Sequence, residues 1–132
     1  MAALADAKTI APTFSNAEEW VRVTYDFAVD AGATGDYTVL TADGDMVVTD
    51  FHASVETAAT SAGSLVVDLG IAAGGTEFWS DKAVAALTIG AAIGMDTAAP
   101  VKLADAALIV VGLEAADATA GKIHFNFKVK KF

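Results

Sequence analysis

A chain of 132 residues fits one domain, and a β-sandwich of about 100 residues leaves room for a short terminal arm. Its side chains sum to −9, with acids outnumbering bases 17 to 8, so nucleic acid and anionic membranes are not expected partners: phosphate binding needs a basic face to release counterions. Cysteine is absent, which removes disulfides and thiolate metal sites and leaves stability to packing and assembly.

The apolar fraction is 55%, and much of the excess is Ala, more small apolar surface than one core of this size buries. Other subunits are the expected cover. The N-terminal stretch Met1–Lys8 has neither the basic start nor the unbroken apolar run of a signal peptide, because Asp6 and Lys8 interrupt it. Residence inside a cell is the default expectation. The longest apolar candidate for a membrane span, Ala83–Met95, is short and broken by Gly90 and Gly94.

In chain order, residues 1–19 show no helical stripe and are interrupted by Pro12, and they are expected to form an arm that orders only against something else. Ser15 and Glu18 have capping-box spacing for one helical turn at most. Ile10, Phe14 and Trp20 are the arm's anchors. From residue 20 to 132 the pattern is that of a single β domain. Val21, Val23, Tyr25, Phe27 and Val29 alternate with polar residues as a half-buried strand, and 30–36 is a loop.

The stretch that organises the chain runs from Tyr37 to Ile71. Two alternating limbs, 37–55 and 64–71, are separated by 56–63, which has no periodicity and reads as a turn, so the limbs are expected to pair antiparallel. Ala72–Thr76 is a turn, and Glu77-Phe78-Trp79 begins a short strand whose aromatics cap the core. Residues 81–97 read as irregular structure with one short strand.

Ala107–Leu113 is apolar throughout, as in a central strand buried on both faces. After a turn at 115–121, Ile123, Phe125, Phe127 and Val129 point inward and Lys122, His124, Asn126 and Lys128 outward. Lys122, Lys128, Lys130 and Lys131 crowd this last strand, as gatekeepers on a sheet edge or as a surface for an acidic partner. The count is about eight strands at sandwich or jelly-roll spacing, an all-β antiparallel fold.

Candidate chemistry is sparse. His52 and His124 stand on strands without carboxylates at ligand spacing, so surface or interface roles outweigh catalysis or metal binding. Asp43-Gly44-Asp45 lacks the remaining ligands of a Ca²⁺ loop and reads as a hairpin turn. No serine sits in a nucleophile elbow, and Gly74-Gly75 lacks the context of a phosphate loop. No catalytic residue, metal site or cofactor is expected. Trp20, Trp79, Tyr25 and Tyr37 form a sugar platform only if they are exposed together, and strand aromatics more often pack.

Three segments, Tyr37–Val48, Thr57–Ala72 and Glu77–Trp79, resemble a group of small proteins from the head gene clusters of tailed bacteriophages. The likeness covers about the middle half of the chain and implies a capsid decoration, or cement, protein of jelly-roll or β-sandwich type. Such a protein sits on the outside of the shell, commonly as a homotrimer, with the major capsid protein and its own copies as partners. It would be made in the host cytoplasm and end in the virion. The expected contacts are Ile10, Phe14, Trp20, Trp79, Lys122, Lys128, Lys130 and Lys131. Competing readings are a carbohydrate- or receptor-binding sandwich of a virion and a cupin-type enzyme, which needs more clustered histidines than the two present.

Overall fold

Side chains that alternate along a strand place one apolar face against a partner layer, and here that repeats in two sheets packed face to face. A computed structural model describes residues 1–11, 18–30, 32–96 and 100–131. Its elements are β1 (Ala2–Ile10), β2 (Glu19–Asp26), a one-turn helix α1 (Phe27–Asp30), β3 (Gly35–Ala42), β4 (Met46–Ser61), β5 (Val66–Gly70), β6 (Trp79–Ala83), β7 (Ala92–Gly94), β8 (Val101–Leu103), β9 (Leu108–Glu114) and β10 (Ala118–Lys131), with a 3-10 turn at Val84–Ala86. One sheet has the order β1-β3-β9-β5-β6; the other has β2-β10-β4-β7, with β8 also paired to β4. The fold is therefore an all-β sandwich.

The core lies between the sheets. Val21, Val23 and Tyr25 of β2, Phe51, Ala53 and Val55 of β4, and Ile123, Phe125, Phe127 and Val129 of β10 meet Val39, Leu69, Trp79, Ile109 and Val111 of the opposite layer, all buried. Phe51 is the hub: its ring centroid lies 5.0 Å from Phe127, 5.4 Å from Phe78 and 5.7 Å from Trp79. The inward alternation expected for 21–25 and 123–129 is present. So is the central placement of 107–113, since β9 lies between β3 and β5 and residues 109–113 are buried on both sides.

Several expectations are corrected. The two limbs of the organising stretch do not pair: β3 and β5 flank β9 in one sheet, while β4 belongs to the other. Each limb has one apolar face, and facing the other across the core satisfies it as well as lying beside it, so alternation does not choose between the two. The turn at Asp43-Gly44-Asp45, where Gly44 has φ +97°, accordingly crosses between sheets. The segment read as a turn at 56–63 is mostly β4, which runs on to Ser61 beside an early-starting β10. Register shifts along that pair break the period of two that would have marked it.

Strand β10 is central rather than an edge, lying between β2 and β4. Its outward lysines mark a solvated face, not a free edge. The strand from Val21 stops at Asp26, where the Asp26 carboxylate accepts from the Ala28 N–H (3.0 Å) and the Asp30 carboxylate accepts from the Asp26 N–H (3.1 Å), winding Phe27–Asp30 into a turn of helix.

The first part of the expected arm is a strand of the sandwich: β1 pairs parallel to β3, and Leu4 is buried. Its register breaks between Ala3 and Lys8, which scrambles the alternation and hides the strand in the sequence. The bulge turns β1 toward the edge of β2. There Asp6 accepts from the Thr24 N–H (2.7 Å) and Lys8 donates to the Arg22 carbonyl (2.6 Å), so two side chains occupy main-chain groups that an edge strand leaves open. Burial raises the Asp6 pKa, but the Thr24 N–H and the Lys8 ammonium outweigh it and hold the carboxyl below its usual range. The helical turn expected at Ser15 and the anchor Phe14 lie outside the described residues.

Candidate interaction face

Strands β2, β10, β4 and β8 put every second side chain on the outer surface of their sheet, and register sets the rows. Lys130 and Lys102 flank Val47; Trp20 and Asp50 flank Lys128; Arg22 and His52 flank Asn126; Thr24 and Ser54 flank His124. The next row brings Asp26 beside Lys122, with Glu56 displaced toward it by the register shift in β4.

Trp20 is half exposed, yet it is held: the His52 ring meets it edge-on at 5.1 Å and the Lys128 ammonium lies 5.9 Å from its centroid. Lys128 is 3.9 Å from Glu18, whose other oxygen accepts from the Thr49 hydroxyl. Asn126, almost fully buried, donates to the His52 and His124 carbonyls and accepts from Arg22 Nε at 3.0 Å. This fixes the guanidinium beside the Trp20 row.

A second network crosses the same face. His124 Nδ1 lies 2.8 Å from the Thr24 hydroxyl and Nε2 lies 3.0 Å from Glu56, which also pairs with Lys122 at 3.1 Å. Hydrogen bonds from His124 and then Lys122 hold the Glu56 carboxyl below its usual range. Beside it is a groove of about 320 Å³ lined by Asp6, Thr24, Asp26, Asp30, Lys122 and His124 among others. A hydroxyl, an imidazole and a carboxylate in a row resemble a nucleophile relay. However, the N–H of Thr24 is already taken by Asp6, and the groove's carboxylates repel a developing oxyanion.

Six of the eight Lys and Arg residues (Arg22, Lys102, Lys122, Lys128, Lys130 and, at the β1 margin, Lys8) and both histidines belong to this face, against six carboxylates (Glu18, Asp26, Asp50, Glu56 and the groove's Asp6 and Asp30). The face thus sums to zero, and the rest of the molecule carries the whole −9. On the opposite outer surface Asp68, Asp81 and Glu114 bring carboxylate oxygens within 4.8 Å of one another. Asp68 is buried and accepts from the Asp81 N–H at 2.7 Å. Its hydrogen bond and charge push the Glu114 pKa up. Nothing in the sequence marked this cluster, because its members come from three strands.

Of the expected contact residues, the fold brings Trp20, Lys122, Lys128 and Lys130 to one face. Trp79 is a correction: it is fully buried, its indole N–H donates to the Gly94 carbonyl (3.0 Å), and it serves the core. With Tyr25 also buried, the sugar platform reduces to Trp20 and a half-buried Tyr37, which stand on different sheets and form no common surface. Ile10 packs against its own core, and its carbonyl accepts from the Asp43 N–H at 2.8 Å. Lys131 is exposed at the end of β10. Sequence reasoning missed Arg22 and read His52 only as a surface or interface histidine; cross-strand register places both beside Trp20.

No family model matches the chain, and no curated protein matches it. Solved structures do. A chain of the Cyanophage Pam1 capsid asymmetric unit superposes with TM-score 0.67 at 15% identity over 93% of this chain and 91% of that one. A chain of the capsid of Ralstonia phage GP4 gives 0.65 at 17% identity over 94% and 90%. One from the acidic stable capsid of Helicobacter pylori bacteriophage KHP30 gives 0.62 at 10% over 87% and 88%. The sandwich is one that phage capsids use. At these identities the likeness is one of fold, over nearly the full length of each chain.

Proposed function

We propose that this chain is a structural protein of a phage virion, a decoration or cement protein that binds the outside of the head and stabilises the shell. The observation that carries this reading is the end-to-end fold match to chains of three phage capsids, in which neither partner of the comparison has a large unmatched domain. The surplus of small apolar residues and the acidic, cysteine-free composition fit a part that works in an assembly. In this reading the chain is not an enzyme, its partners are the major capsid protein and copies of itself, and the working unit is a homotrimer.

The test is co-sedimentation of the purified protein with heads of the phage that encodes it, prepared without this chain, followed by cryo-electron microscopy of the pellet. Added density at regular positions on the outer surface, and a raised temperature of head disruption, are the expected results. Light scattering on the free protein gives the subunit count. Heads that pellet bare at micromolar protein overturn the proposal.

A further inference from the structure

We propose that the outer face of the β2-β10-β4 sheet is the docking face, and that its partner is an acidic, carboxylate-rich protein surface on the head; this rests on the decoration reading above. Charge is segregated on this molecule. A body whose remaining surface carries −9 is repelled by an acidic surface from every side except this one, where the side chains sum to zero and the cations Arg22, Lys102, Lys128 and Lys130 gather at the Trp20 end. The field of the whole protomer therefore turns this face toward such a surface before contact.

The face also has the composition of an interface centre. Trp20 is half exposed but braced by His52 and Lys128, so little side-chain freedom is lost when it is covered. Arg22 is pre-oriented by buried Asn126, and its remaining N–H groups suit a partner carboxylate in a bidentate pair. Lys130 has no ion-pair partner among the described residues and stands in the next row. The six carboxylates of this face disfavour a phosphate backbone and fit a protein surface of mixed, predominantly acidic character.

The experiment measures binding to the same chain-free heads for wild type, Lys128→Glu/Lys130→Glu, Lys130→Glu alone, Trp20→Ala and, on the opposite face, Glu114→Lys. Each is checked by circular dichroism, and the single exposed change Lys130→Glu keeps the test informative if the double variant misfolds. The expected result is about tenfold or greater weakening for the double reversal and for Trp20→Ala, a smaller loss for Lys130→Glu, and none for Glu114→Lys. Raising salt from about 50 to 300 mM should weaken wild type more than the reversal variants. Wild-type binding with undiminished binding by all three β2-β10 variants overturns this face while leaving the decoration reading standing. So does a loss confined to self-association of the free protein, which would make a second copy the occupant. Failure of wild type itself to bind heads overturns the decoration reading instead.

Discussion

Replacing Phe51 with Ala removes the ring on which both sheets converge. Its neighbours come from β10 (Phe125 at 6.4 Å and Phe127 at 5.0 Å) and from the opposite layer (Phe78 at 5.4 Å and Trp79 at 5.7 Å). A buried Phe→Ala change costs ~3–5 kcal/mol in lost transfer energy and residual cavity. Four large, mutually braced rings collapse poorly into the space, which places this site near the top of that range. A domain of 132 residues has a total stability of roughly 7–20 kcal/mol. With an unfolding entropy of about 2.1 cal/mol/K per residue, the loss corresponds to a drop of about 15 °C in Tm. Urea unfolding followed by tryptophan fluorescence measures it, since Trp79 lies in the same cluster. Trp20→Ala, at a half-exposed position, should cost no more than about 1 kcal/mol in the same assay. A loss below about 2 kcal/mol for Phe51→Ala would refute the view that this cluster ties the two layers together.

Gly70→Ala should destabilise by about 2–4 kcal/mol, because a Cβ there runs into the backbone of Gly75 and the 72–77 loop must lift; proteolysis within that loop reports the opening. Asp6→Ala should release the Thr24 amide to hydrogen exchange at edge-strand rates while core amides of β10 stay protected, and equal protection before and after would mean that Asp6 does not cap β2. Burial, with Asp30 nearby, pushes the Tyr25 pKa up to about 12. A raised folded value favours the fold below the unfolded value near 10 and is lost as pH rises through 12, so phenolate absorbance should show Tyr25 ionising only with alkaline unfolding. Glu114, raised by Asp68, likewise contributes below its unfolded value near 4.5, and that contribution disappears as pH rises through the higher folded value. Glu114→Gln should therefore flatten the fall in stability between acid and neutral pH, and an unchanged pH profile would count against the pair.

The β class, the inward faces of β2 and β10 and the buried centre at 109–113 were legible because a period of two, or an unbroken apolar run, directly reflects which side of a strand meets the core. Trp20 was named only as an anchor of the arm, whereas Lys128 was legible as outward by the same parity and Lys130 by the crowding of lysines on the last strand. Residue types and parity were all that this required. Partnership was a different matter: β4 and β5 are both amphipathic, and only packing decided that they face each other rather than share hydrogen bonds. Bulges in β1 and between β4 and β10 shifted parity locally, so segments 2–10 and 56–61 lost their signature although they are strands. Trp79 and Trp20 are alike in the sequence, and the fold buried one under Phe51 and left the other beside Arg22 and His52. Composition set the total charge at −9. Its segregation onto opposite sides arose only when register brought four strands into rows, since charges distant in sequence become neighbours through hydrogen-bonded pairing alone.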